Sequence, residues 1–151
     1  MTDPGDLPQN TRPLEWKYLA QGGANIVLAY DGAPPQPQFD DKLLRVRKVN
    51  AHRSSAELGG MEEDLLELGF GGEVVAPLLG DEFVPLVESH TVGREWLEEM
   101  RELLSRSEAA AGDRAAGAEV NVEADRVQLT DDLTSGHKTL AIEIKVSRTH
   151  N

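Results

Sequence analysis

The sequence predicts an α+β domain built on a mostly antiparallel sheet with two or three helices. Three observations lead there. Trp16-Lys17-Tyr18-Leu19-Ala20 and Ile26-Val27-Leu28-Ala29-Tyr30 are strand-like runs on either side of the small-residue turn Gln21-Gly22-Gly23-Ala24-Asn25, the pattern of a β-hairpin. From Lys42 to Lys48, Leu43, Arg45 and Arg47 alternate with Leu44 and Val46, the period of a half-buried strand. From Arg94 to Arg106, Trp96, Met100, Leu103 and Leu104 fall on one side of an amphipathic helix.

The remaining elements follow in chain order. Residues 1–15 carry Pro4, Pro8 and Pro13 and little apolar matter, and read as a mobile tail. Asp31 to Gln38 holds three prolines, which cannot donate to a ladder, so it is a loop joining the hairpin to the third strand of a meander. Residues 49–60 read as a loop ending in Gly59-Gly60. Met61 to Leu68 reads as a short helix with Met61, Leu65 and Leu68 on one face and acids in its first turn. Gly69-Phe70-Gly71-Gly72 ends it. Pro77 to Gly80 and Phe83 to Val87 are expected as short extended runs around a turn, and Ala109 to Gly117 as a small-residue loop. Val120 to Gln128 and Thr139 to Val146 read as a second pair of strands. The predicted order is β-β-β-α-β-(β)-α-β-β, with no internal repeat.

A length of 151 residues is that of one domain. No run of about 18 apolar residues is present, so no membrane-spanning helix is expected, and the acidic start Met1-Thr2-Asp3-Pro4-Gly5-Asp6 lacks the pattern of a signal peptide. The net charge of −12 argues against a nucleic-acid surface. Without cysteine there is neither a disulfide nor a thiolate metal site, which fits an intracellular protein, nuclear or cytoplasmic. The histidines His52, His90, His137 and His150 have no metal-ligand spacing, so no metal site is assigned. The cations concentrate at Lys42, Arg45, Arg47, Lys48 and Arg53, and the acids at Glu62-Glu63-Asp64 and at Glu95, Glu98, Glu99 and Glu102.

That clustering gives the hairpin turn a chemical reading. Small residues between paired strands let backbone N–H groups approach an anion, because no Cβ intervenes. A cation on the next strand can hold the same anion from the side. This is the layout of a kinase-type phosphate cover, and the element order fits a kinase-like N-terminal lobe. The same residues also suit an ordinary hairpin turn beside a solvated basic strand, and the element order suits other α+β modules. The loop lacks the repeated G-x-G-x-x-G pattern and the third strand lacks V-A-I-K, which disfavours a protein-kinase lobe.

Taken in order, several segments resemble the N-terminal part of the inositol-pentakisphosphate 2-kinase family, particularly its fungal members. They are Trp16-Lys17-Tyr18, Gly22 through Tyr30, Lys42 through Lys48, Pro77-Leu78-Leu79-Gly80 with Phe83-Val84-Pro85, Leu129-Thr130-Asp131-Asp132-Leu133-Thr134 and Ile142-Glu143-Ile144-Lys145. The resemblance covers about residues 14–145. It implies a kinase-like lobe over 16–145 and an enzyme that transfers the ATP γ-phosphate to the 2-hydroxyl of inositol pentakisphosphate, giving inositol hexakisphosphate. ATP and Mg²⁺ would be its cofactors. ATP and inositol pentakisphosphate would be its partners, with no nucleic acid or membrane, and the protein would be a monomer. Gly22, Gly23, Ala24 and Asn25 would cover the phosphates. Arg45 would replace the usual strand lysine, its guanidinium binding phosphate oxygens as a fork. Asp131, Asp132 and Leu133 match the hinge that meets the adenosine; without the resemblance they read as a turn. Glu143 and Lys145 begin a Glu-x-Lys-Pro-Lys motif, share one strand face by alternation, and would serve the ribose hydroxyl and the transferring phosphate. Arg114 has the spacing to Asp132 of a family arginine that contacts the inositol phosphates, but the surrounding Arg-Pro-x-x-Arg pattern is absent, and a solvated loop arginine is the equal alternative.

The sequence departs from the family pattern after Lys145, where Val146-Ser147-Arg148-Thr149-His150-Asn151 stands in place of Pro-Lys and the larger lobe. That lobe would carry the metal ligands, the catalytic aspartate and most substrate cations. Val-Ser is encodable by GTRAGT, the start of an intron, so read-through into an intron is one expectation and a short isoform the other. An N-lobe fragment inactive alone is therefore expected. The alternative from another class is a non-catalytic acidic interaction module with a kinase-like meander.

Overall fold

The computed structural model describes residues 8–49, 69–81, 84–111 and 119–133. Within these, five strands form one antiparallel sheet: β1 (Trp16–Gln21), β2 (Asn25–Tyr30), β3 (Lys42–Arg47), β4 (Val87–Thr91) and β5 (Arg126–Asp131). Their order across the sheet is β1-β2-β3-β5-β4. A one-turn helix α1 (Ala76–Leu79) follows a π-helical turn at Gly71–Val75, and the long helix α2 (Arg94–Ala111) connects β4 to β5.

Register follows hydrophobic pattern. Ile26 pairs with Val46 and Val46 with Val127; Leu28 pairs with Leu44 and Leu44 with Leu129. All six are buried. Because the side-chain period is two, this register turns all six to the same face. Helix α2 covers that face with Leu97, Met100 and Leu104, spaced three and four residues apart and nearly inaccessible. In β1 the register shifts between Tyr18 and Ala20, a bulge that leaves Leu19 exposed on the edge strand.

Five elements differ from the sequence expectation. Gly69-Phe70-Gly71-Gly72, expected to end a helix, is itself helical and runs through the π-helical turn at Gly71–Val75 into α1. Pro77 to Gly80 belongs to helix α1 and its end, not to an extended run; a proline at the first helical positions lacks an N–H that a helix start does not need. The strand expected over 120–128 begins at Arg126 and runs to Asp131. Val120 makes only an isolated bridge to Lys48, and Asp125, at φ 49°, breaks the extended course between them. Helix α2 continues through the alanines to Ala111, in keeping with alanine's helix propensity. Strand β4 begins at Val87, where the expected extended run ends. The helix expected over 61–68 and the strand expected over 139–146 lie outside the described residues.

The described part of the expected tail, residues 8–15, is packed against the sheet. Thr11 is buried and its hydroxyl donates to the Pro8 carbonyl. That hydroxyl oxygen accepts the Trp16 indole N–H at 2.7 Å, and the Thr11 carbonyl accepts the Trp96 indole N–H at 2.9 Å. Buried Glu15 accepts the Arg12 amide at 2.7 Å and the Tyr30 hydroxyl at 3.2 Å. Burial, then the charge of Glu15, raise the Tyr30 phenol above its ordinary pKa. Trp16, Tyr30 and Phe39 close the cluster, with ring centroids 5.1–5.4 Å apart.

Gly32 lies against this cluster. A Cβ there would sit 1.9 Å from the Tyr30 hydroxyl oxygen and 2.2 Å from Tyr30 Cζ. The ring cannot yield freely, because Trp16 and Phe39 hold it. Gly32→Ala is expected to destabilise the domain by about 1–3 kcal/mol, the usual cost of overpacking. Urea denaturation measures it, and an unchanged midpoint would show that the ring gives way without cost.

Candidate nucleotide-binding face

The register that buries one face of the sheet also composes the other. Cross-strand neighbours on the face away from α2 form three rows. Nearest the β1–β2 turn, Asn25 pairs with Arg47. Next, Val27 pairs with Arg45, Arg45 with Gln128, and Gln128 with Ser89. Farthest from the turn, Ala29 pairs with Leu43, Leu43 with Thr130, and Thr130 with Val87. Across β2, β3 and β5 the face therefore grades from cationic at the turn to largely apolar at the end where β5 leaves the sheet, with Lys17 of β1 beside Ala29 at its margin. Between Arg47 and Lys42 the strand spans about 16 Å at roughly 3.3 Å per residue, close to the extended length of a nucleoside triphosphate.

The turn itself is tightly closed. The Gly22 amide donates to the Asn25 carbonyl at 2.8 Å, and the Lys48 amide donates to the Ala24 carbonyl at 2.8 Å. Among the described residues, the amides of Gly23 and Ala24 make no backbone hydrogen bond. A Cβ added at Gly22 or Gly23 would meet nothing within 4 Å, and neither residue has a positive φ. Neither packing nor backbone conformation within the described chain calls for glycine here.

Lys48 was not singled out as a site residue in the sequence, although its place at the end of the basic strand was the available signal. Its ammonium donates to the Gly22 carbonyl at 3.3 Å. Arg47 was likewise visible only as part of the basic run; its pairing with Asn25 is what brings it to the turn.

At the other end, Asp131 closes β5. It pairs with Lys42 and forms an ion pair with the Lys42 ammonium, and its second oxygen accepts the Leu86 amide at 3.2 Å. By register this carboxylate belongs to the α2 side of the sheet, so its observed role is to tie β3 to the start of β4. The Asp132 amide donates to the Asp41 carbonyl at 2.7 Å, and Leu133 is exposed. The structure thus brings Gly22–Asn25 and Arg45 to one end of the face and Asp131–Leu133 to the opposite end. Arg114, Glu143 and Lys145 lie outside the described residues.

The Lys42 hydrogen bond is the main cause holding the Asp131 carboxyl below its ordinary pKa, against the opposing effect of partial burial. A carboxyl depressed on folding contributes stability above its unfolded pKa of about 4, and that contribution is lost as pH falls through the folded value. The pair is open to solvent, so the contribution is modest. Lys42→Met is expected to lower the denaturation midpoint at pH 7, with the gap to the parent chain narrowing below about pH 4. A gap that stays constant from pH 7 to pH 3 would mean that the ion pair contributes nothing.

Fold and site together define an α+β domain whose outer sheet face carries cations beside a glycine turn. Comparisons with known proteins place it further. A family model described as inositol-pentakisphosphate 2-kinase matches residues 18–145. Proteins named inositol-pentakisphosphate 2-kinase from two strains of Cryptococcus neoformans are each 33% identical over 142 residues, covering 90% of this chain and 33% of the relative. One from Arabidopsis thaliana is 26% identical over 159 residues, covering 87% of this chain and 35% of the relative. The chain belongs to the inositol-pentakisphosphate 2-kinase family. It spans about a third of the length of the curated relatives it matches.

Proposed function

We propose that this chain is the nucleotide-covering, kinase-like lobe of an inositol-phosphate kinase that transfers the ATP γ-phosphate to the 2-hydroxyl of inositol pentakisphosphate, giving inositol hexakisphosphate. The observation that carries the reading is the graded sheet face ending in two glycines that nothing in the described chain requires. ATP fits it in one direction. The base lies toward Ala29, Leu43 and Thr130, and the phosphates toward Arg45, Arg47 and the Gly22–Asn25 turn. Phosphoryl transfer rests on positioning and charge stabilisation. The turn amides and the Arg45 fork supply both from one side.

The described residues contain no group of three or more His, Cys, Asp or Glu able to hold a metal ion. The proposed role of the described residues is to bind and position the nucleotide, with no step routed through Mg²⁺. In the proposed arrangement the metal ligands, the acceptor pocket and the base that receives the hydroxyl proton belong to a second lobe. A polypeptide of these 151 residues alone is accordingly expected to transfer no phosphate.

Two measurements test the reading. ATP titrated into the ¹⁵N-labelled chain should shift the amides of Gly22 to Asn25. A chimaera in which this chain replaces the matched third of the Cryptococcus relative should form inositol hexakisphosphate from ATP and the pentakisphosphate. An ATP-silent turn overturns nucleotide binding. A folded chimaera that binds both substrates and makes no hexakisphosphate overturns the reaction.

A further inference from the structure

Resting on that nucleotide reading, we infer that Lys48 is a phosphate-binding and turn-positioning residue, acting through both its main chain and its ammonium. Three observations converge on it. Its amide holds the Ala24 carbonyl at 2.8 Å, and its ammonium holds the Gly22 carbonyl at 3.3 Å, so a single residue grips the turn on either side of Gly23. Those two contacts occupy the carbonyls and not the turn's donors: the Gly23 and Ala24 amides make no backbone hydrogen bond among the described residues. An ammonium has three donor protons, and the Gly22 carbonyl takes one. The turn therefore carries two amides without a backbone acceptor beside a cation, the donor set of an anion nest.

The opposite side of Lys48 is anchored. It bridges Val120, while Val49 donates to the Glu119 carbonyl at 2.8 Å and Asn121 donates to the Arg47 carbonyl at 2.9 Å. Val120 is buried in the core. The turn is thus fixed to the core through Lys48 and does not depend on hairpin closure alone. A terminal phosphate of the nucleotide is the ligand this geometry suits: a compact ammonium binds it as a point charge, while the more distant Arg45 grips it as a fork.

The test compares the parent chain with Lys48→Met and Lys48→Arg by ¹⁵N NMR titration with ATP, ADP, AMP and adenosine. Lys48→Met should weaken ATP about tenfold, as loss of a charged hydrogen bond does, and leave adenosine unchanged, so that the preference for ATP over adenosine shrinks. Lys48→Arg should restore most of that preference. A purely structural role would weaken all four ligands alike and would overturn the inference, as would an unchanged preference in Lys48→Met. If the parent chain binds ATP and only the Lys48 prediction fails, the nucleotide reading stands without it. If the parent chain binds no nucleotide, both fall.

Discussion

Arg45→Ala is expected to weaken ATP binding by about ten- to a hundredfold, the loss of a charge-assisted hydrogen bond worth roughly 1.5–3 kcal/mol. Arg45 sits in the middle row of the outer face, between Val27 and Gln128, one row from the turn. Among the described residues, no other strand position on that face places a cation midway between the apolar end and the glycines. The core lies on the opposite face, so the variant should keep its far-ultraviolet circular dichroism and its thermal midpoint. Amide shifts on ATP titration give the affinity. Equal affinity in the variant would remove Arg45 from the site, and a collapse of the circular dichroism would assign it to the fold instead.

Trp16→Ala carries the largest expected effect on stability, about 3–5 kcal/mol for truncating a buried indole. Trp16 is 4% exposed, meets the edges of Tyr30 and Phe39, and holds Thr11 through its indole N–H. Its removal opens a cavity at the start of β1 and leaves the buried Thr11 hydroxyl without one partner. Against a typical domain stability of about 5–15 kcal/mol this is a large fraction. Urea denaturation followed by circular dichroism measures it; a loss below about 1 kcal/mol would show that the cluster repacks.

Where alternation was unbroken, the sequence was enough. Leu44 and Val46 against Arg45 and Arg47 determine a strand and both of its faces, because period two admits one register. Where a short polar turn imitates alternation, it misled. Val120 and Val122 are both two-spaced and apolar, yet Asp125 at positive φ separates them from β5. Residues 8–15 gave no periodic signal because 3₁₀ turns around prolines have none at that length. Their burial comes from partners distant in sequence, such as Trp96. The site divides the same way. The glycine turn and Arg45 were legible from local pattern, whereas the roles of Lys48, Arg47 and the Lys42–Asp131 pair depend on which strands become neighbours.

The chain has two tryptophans, and both indoles hydrogen-bond to the same residue, Thr11, one through its side chain and one through its carbonyl. Intrinsic fluorescence in this protein is therefore a local gauge. Detachment of the segment around Thr11 would hydrate both indoles together and move the emission to the red in one step, even with the distant glycine turn undisturbed. Peeling of the amino-terminal segment and melting of the sheet can thus be told apart by comparing tryptophan emission with backbone circular dichroism in the same denaturation.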